Sequence, residues 1–175
     1  MKTTQRNVLG EIALGAVAGA AATWLMGKAT NYLYEHENET ARQREDKVRG
    51  GQSAYETAAE KVAGLVCQPL SDDERKKMGA AIHWSVGIGS SALYALLRRR
   101  LAGRGLGREL AAGALFGTAV WLLLDEVGNV ALGLTPGPTA FPWQAHARGL
   151  AGHLVLGLAA EGVLQAADLA VARAA

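Results

Sequence analysis

Only one cysteine, Cys67, occurs in the 175 residues. That excludes an intramolecular disulfide and a cysteine-built metal knuckle, and Cys67 reads as a small buried hydrophobe. Aromatic residues make up 6% of the chain, so any core must be built mainly from Ala, Leu and Gly. The formal charge of +2 is too small and too scattered for a nucleic-acid-binding surface. No G-x-S-x-G elbow, phosphate-binding loop or Cys/His dyad is present, so the sequence carries no enzyme signature. The most telling absence is local. Charge is concentrated between Glu35 and Lys77 and between Arg98 and Arg108, and the rest is nearly free of it.

The uncharged remainder divides into apolar segments, with spans expected at about 8-33, 78-97, 108-134 and 147-172. Each is close to the ~20 residues that cross a bilayer core. A chain in lipid must satisfy its backbone hydrogen bonds within itself, so each segment is expected to be a helix. Glycine destabilises a water-exposed helix by roughly 1 kcal/mol relative to alanine. In lipid it lets helix backbones approach closely. Gly15-x-x-x-Gly19, Gly113-x-x-x-Gly117 and the row Gly149, His153, Gly157 have the required spacing. The segments show no regular polar face, which argues against a soluble bundle. The first is too long for a signal-peptide core and continues into "GKATNYLY", so it reads as a retained helix.

Lys2, Arg6, Arg98, Arg99, Arg100, Arg104, Arg108 and Arg173 fall on one side if four helices alternate. By the positive-inside rule that side, with both termini, is cytoplasmic. Residues 35-77 and "GLTPGPTAFPWQAHARG" then face outward. In the long loop, Ser53 with Glu56 forms a capping box for a helix expected to stop at Gly64. A second box, Ser71 with Glu74, starts a helix that continues into the second span. The loop therefore carries one short amphipathic helix, lying on the bundle or at the lipid surface. Trp84, Trp143 and Tyr32 suit interfacial anchors. Pro136, Pro138 and Pro142, with Gly133 and Gly137, make an ordered turn.

Ionisable groups inside a span cost about 2.5–3.5 kcal/mol on insertion scales and face the bundle interior. Helical spacing places His83, Asp125 and His153 each on a small-residue face. At 1.5 Å per residue their depths agree to within roughly 5 Å, so they are expected to meet in the outer half. Glu126 is turned about 100° from Asp125 and falls nearer the bundle edge, toward Asn129 or the head groups; Glu126 and His146 are expected neighbours of the cluster. Glu11 and Glu161 form a second, inner tier. Ser90, Ser91, Thr23 and Thr118 lie between the tiers. The cluster admits a structural network, a proton or solute path, or a transition-metal site with His83, Asp125 and His153 as ligand candidates. Paired histidines also leave haem open, although no compact ligand spacing favours metal or haem. Self-association through the Gly-rich faces is a further reading.

Particular motifs carry a resemblance over roughly the C-terminal half. His83-Trp84 opens a Gly-rich span, followed by Gly133-Leu134-Thr135-Pro136, Pro142-Trp143 and Gly152-His153. In these features the chain resembles the YagU-like family of bacterial inner-membrane proteins of unknown function. The resemblance implies a multi-helix inner-membrane protein linked to acid tolerance, with no established ligand. Some members of that family carry a histidine where this chain has Asp125, so a titratable role there does not require a carboxylate. The expected fold is an all-α integral membrane protein. It is a four-transmembrane-helix bundle with an extra amphipathic helix in the first extramembrane loop, its partner is the lipid bilayer, and it is not an enzyme.

Overall fold

The computed structural model describes residues 7–101 and 105–174, with backbone alone for 99–101. Lys2, Arg6 and Arg104, and the side chains of Arg99 and Arg100, therefore lie outside the described residues. All regular structure among those residues is helical. Helix α1 spans Val8–Glu35, α2 Glu39–Arg49, α3 Ala54–Leu65 and α4 Asp72–Leu101. A third long rod begins as α5, Leu106–Val120, widens into a π-helical segment, Trp121–Gly128, and closes with α6, Asn129–Ala131. Helix α7 spans Trp143–Ala174. Four of these rods are long and apolar enough to cross a membrane.

Local chemistry sets the boundaries. The Asn7 side chain accepts from the Gly10 amide at 2.7 Å and opens α1, as an N-cap should. Both expected capping boxes form. Ser53 N–H donates to Glu56 at 2.7 Å and Glu56 N–H to the Ser53 hydroxyl at 3.2 Å. The Ser71 amide donates to Glu74 at 2.9 Å, and α4 runs on without interruption from there. The third rod ends where Gly133 takes a left-handed φ of 62°, a conformation glycine adopts without strain. Lys61 of α3 donates to the orphan carbonyl of Leu132 at 2.9 Å.

Three expectations about the long loop are corrected. It holds two helices rather than one, because Asn38 caps α2 and Gly50, with φ 60°, terminates it. The strongly charged composition of α2 conceals it from any hydrophobic periodicity. Helix α3 does not stop at Gly64 but runs to Leu65. Cys67, with φ 53°, supplies the left-handed turn, and the Gln68 amide returns to the Ala63 carbonyl at 3.1 Å. Cys67 is also exposed rather than buried.

The rods pack antiparallel, with α1 between α4 and α7 and α5 on the far side of α7. Small residues determine these contacts. Gly15 and Gly19 of α1 meet Ala92 and Ile88 of α4. A Cβ at Gly113 would come within 2.8 Å of the Gly157 carbonyl oxygen, and one at Gly117 would collide with the His153 carbonyl. The buried apolar residues are mostly alanines, among them Ala18, Ala22, Ala95 and Ala160, with Leu156 and Leu164. Large apolar residues point outward: Leu9 is 75% exposed and Leu115 70%. That arrangement is the reverse of a water-soluble bundle and is the one that lipid solvates.

The backbone approach of α5 to α7 yields a test. Gly157→Ala forces a methyl against Gly113 and should cost roughly 1–3 kcal/mol of overpacking. Gly162 has open space around it, so Gly162→Ala should be neutral or stabilising. Thermal unfolding of the two variants in detergent checks the difference.

Candidate functional site

The end of the bundle opposite the described start of α1 carries α2, α3 and the 132–142 turn. Together they cap a cavity of about 230 Å³ between the third rod and α7. A π-helical segment, Trp121–Gly128, runs along its wall. Asp125 and Glu126 both line the cavity, and Glu126 also borders a second recess beside Thr139 and Trp143. Glu126, expected nearer the bundle edge, therefore shares the cavity wall with Asp125. Glu126, with its side chain 18% exposed, is less exposed than Asp125 at 29%. Glycine fits the π segment at Gly128, where a Cβ would stand 2.8 Å from the Leu123 carbonyl oxygen.

Asp125 and His153 come together, with Oδ2 and Nδ1 3.7 Å apart. That is beyond hydrogen-bond range. His153 Nδ1 instead lies 2.9 Å from the Gly149 carbonyl. A carbonyl only accepts, so Nδ1 carries the hydrogen and a neutral ring leaves Nε2 bare. Glu126 lies 2.7 Å from His146 Nδ1, whose Nε2 faces the Pro138 carbonyl at 3.0 Å. Both ring nitrogens of His146 thus face oxygen atoms.

His83 does not line the cavity. Its ring packs on Tyr55 of α3, with centroids 4.8 Å apart, and Tyr55 in turn lines the cavity with Asp125 and His153. The loop helix thus inserts a phenol where the sequence reading placed a direct meeting of His83 with the other two. Burial, and then the negative charge of Asp125, push the Tyr55 phenol well above its ordinary pKa, so it keeps its proton and remains a donor. Among the described residues, no group of three or more His, Cys, Asp or Glu side chains is arranged to hold a metal ion.

The cap is fastened by charges that the sequence reading did not single out. Arg148 of α7 pairs with Glu37 and with the fully buried Glu45 of α2. Its guanidinium lies 4.9 Å from the Tyr34 ring. Arg49 also bonds Glu45, at 2.7 Å. The one sequence signal for this network is an arginine near the start of an otherwise apolar span, a costly placement that demands partners.

The inner tier is an ion-pair network. Glu161 is fully buried and accepts from Tyr94 at 2.7 Å, Arg98 at 2.6 Å and Gln165 at 3.1 Å. Arg98 also pairs with Asp168. Glu11 is buried on α1, one turn before the Gly15 contact with α4. Between the tiers, the Thr23 and Ser91 hydroxyls are buried without a protein hydrogen-bond partner. Ser90 and Thr118 bond carbonyls of their own helices. No family model, curated protein or solved structure matches this chain, so its chemistry is argued from these residues.

Two outcomes are expected. Glu161→Leu removes one of the two carboxylates on buried Arg98 and leaves Asp168 as its partner, so it should destabilise the fold by roughly 1–3 kcal/mol, whereas adding Arg98→Met should recover part of that loss; unfolding of the single and double variants checks this. The Glu56 carboxyl is held below its usual range, chiefly by the Ser53 amide. Its contribution is therefore complete above the ordinary glutamate pKa and is lost as pH falls through the lowered folded value. The protection factors of amides in the first turn of α3, with exchange corrected for its intrinsic pH dependence, should fall on acidification, and Glu56→Gln should flatten that dependence.

Proposed function

We propose that this chain is a multi-pass membrane protein that handles protons at its capped end. The observation that carries the reading is the convergence of Asp125, Glu126, His146, His153 and Tyr55 on one cavity beside a π-helical turn. Titratable groups are rare inside apolar spans and, where present, mark ion or proton pathways. π turns recur at functional sites for the same reason that they are rare elsewhere. The Glu126–His146 pair and Asp125 exchange protons with the cavity, and Tyr55 keeps its own. Thr23 and Ser91 supply hydroxyls toward the inner tier. The Arg98–Glu161 network is structural: its charges are satisfied by each other, by Tyr94, by Gln165 and by Asp168.

The lipid reading rests on the outward-facing large apolar residues and on the four rods of spanning length. Arg98, Arg108 and Arg173 lie at the end opposite the cap, which supports a cytoplasmic location for that end and for both termini. The resemblance to YagU-like proteins supports the bacterial inner membrane and a role in acid tolerance. Purified protein in liposomes tests the reading. An imposed pH gradient should collapse faster than in empty vesicles. Asp125→Asn should slow that flux by roughly a hundredfold, the usual contribution of one positioned proton-transfer group. Flux equal to that of empty vesicles would remove the proposal.

A further inference from the structure

The charges around the cavity do not cancel one another. Arg49 is engaged by Glu45, and Arg148 by Glu37 and Glu45. His146 is engaged by Glu126 and the Pro138 carbonyl. His153 spends its Nδ1 hydrogen on Gly149. Every cationic or imidazole group that faces Asp125 from α2 and α7 thus has another partner, and its own helix contributes only the further acid Glu126. Asp125 is left as a carboxylate on the cavity wall with no protein hydrogen-bond donor among the described residues.

The remaining wall is mixed: Trp121, Tyr55, Phe141 and Met26 supply its apolar part, and Thr30, Ser53, Asn129 and Thr135 add neutral polar groups. Rings present negative faces to a cation and reject an anion. One uncommitted carboxylate among aromatic rings, in about 230 Å³, matches a small organic cation. A metal ion would require a ligand set that the described residues do not assemble. An anion would find both arginines already occupied.

We infer that the capped cavity is a binding site for a small organic ammonium ion, recognised by the Asp125 carboxylate with Trp121 and Tyr55 in the wall beside it. The ammonium supplies the donor that Asp125 lacks, and the rings take its alkyl portion. A proton on Asp125 removes the attraction, so proton and ammonium compete for one carboxylate. This inference shares its site with the proton-handling reading but does not depend on flux.

Calorimetry on the full-length protein in nanodiscs tests it, with n-butylammonium as the probe and butanol, butyrate and sodium ion as comparisons. Saturable binding of butylammonium alone is expected. Its affinity should fall as acidification protonates Asp125. Asp125→Asn should weaken it by roughly tenfold or more, the size of one lost charge-assisted hydrogen bond, and Asp125→Glu should retain part of it. The inference is overturned if the parent binds no butylammonium, binds butanol, butyrate or sodium equally well, or binds unchanged in Asp125→Asn. If Asp125→Asn does not fold, the parent's pH dependence decides: affinity unaffected by acidification overturns the site. Proton flux measured without amine separates the two proposals, since binding without flux rejects only proton handling and flux without binding rejects only this site.

Discussion

The backbone contact between α5 and α7 is the constraint on which the capped end depends. Gly113, Gly117 and Gly157 let the two helices meet with carbonyls against bare α-carbons. His153 lies within that contact, and its own carbonyl is what Gly117 touches. Glu161 stands one turn beyond Gly157, against Gly113. A larger residue at any of these positions would push the rods apart, taking His153 from Asp125 and the third rod from the cavity wall. The small faces also account for the outward turn of the leucines, because a bundle this tight has room inside only for alanine and glycine. Helices associate in lipid by this close packing, since burial of apolar surface offers no advantage over lipid itself.

Charge placement follows from the same constraint. A narrow bundle has little space for water, and the Arg98 and Arg148 guanidiniums are each matched by carboxylates from another element. At the inner level Arg98 of α4 meets Glu161 and Asp168 of α7. At the capped level Arg148 of α7 meets Glu37, which follows α1, and Glu45 of α2. Both networks tie elements distant in sequence, and both leave Asp125 outside their pairing. Asp125 and Glu126 lie in the π segment, at the wall of the cavity beneath the cap.

Much of the fold was legible in the sequence. Four apolar runs of spanning length, their small-residue spacing and two capping boxes each report a local property, namely helix length, one helical face or one first turn. The structure contains each of them. The pairing of Asp125 with His153 was legible because equal depth and a shared small-residue face follow from helical geometry alone. Helix α2 was not legible, because its stability comes from Glu45 buried against Arg148 and Arg49, and no hydrophobic period records that. Tyr55 was not legible either, since its place beside His83 depends on how the loop folds back over the bundle.

The sequence by itself determined what each segment had to be: an apolar rod, a cap, a break, or a polar group needing partners. Those outcomes depend on backbone hydrogen bonding and on side-chain types within a few residues. Only the tertiary structure decided which polar groups satisfied one another. That choice left Glu126 with His146, Arg148 with the cap, and Asp125 facing the cavity. It also decided that two adjacent carboxylates share one wall, because the cap, through Ser53, Tyr55, Pro138 and Phe141, folds back over the third rod to enclose them.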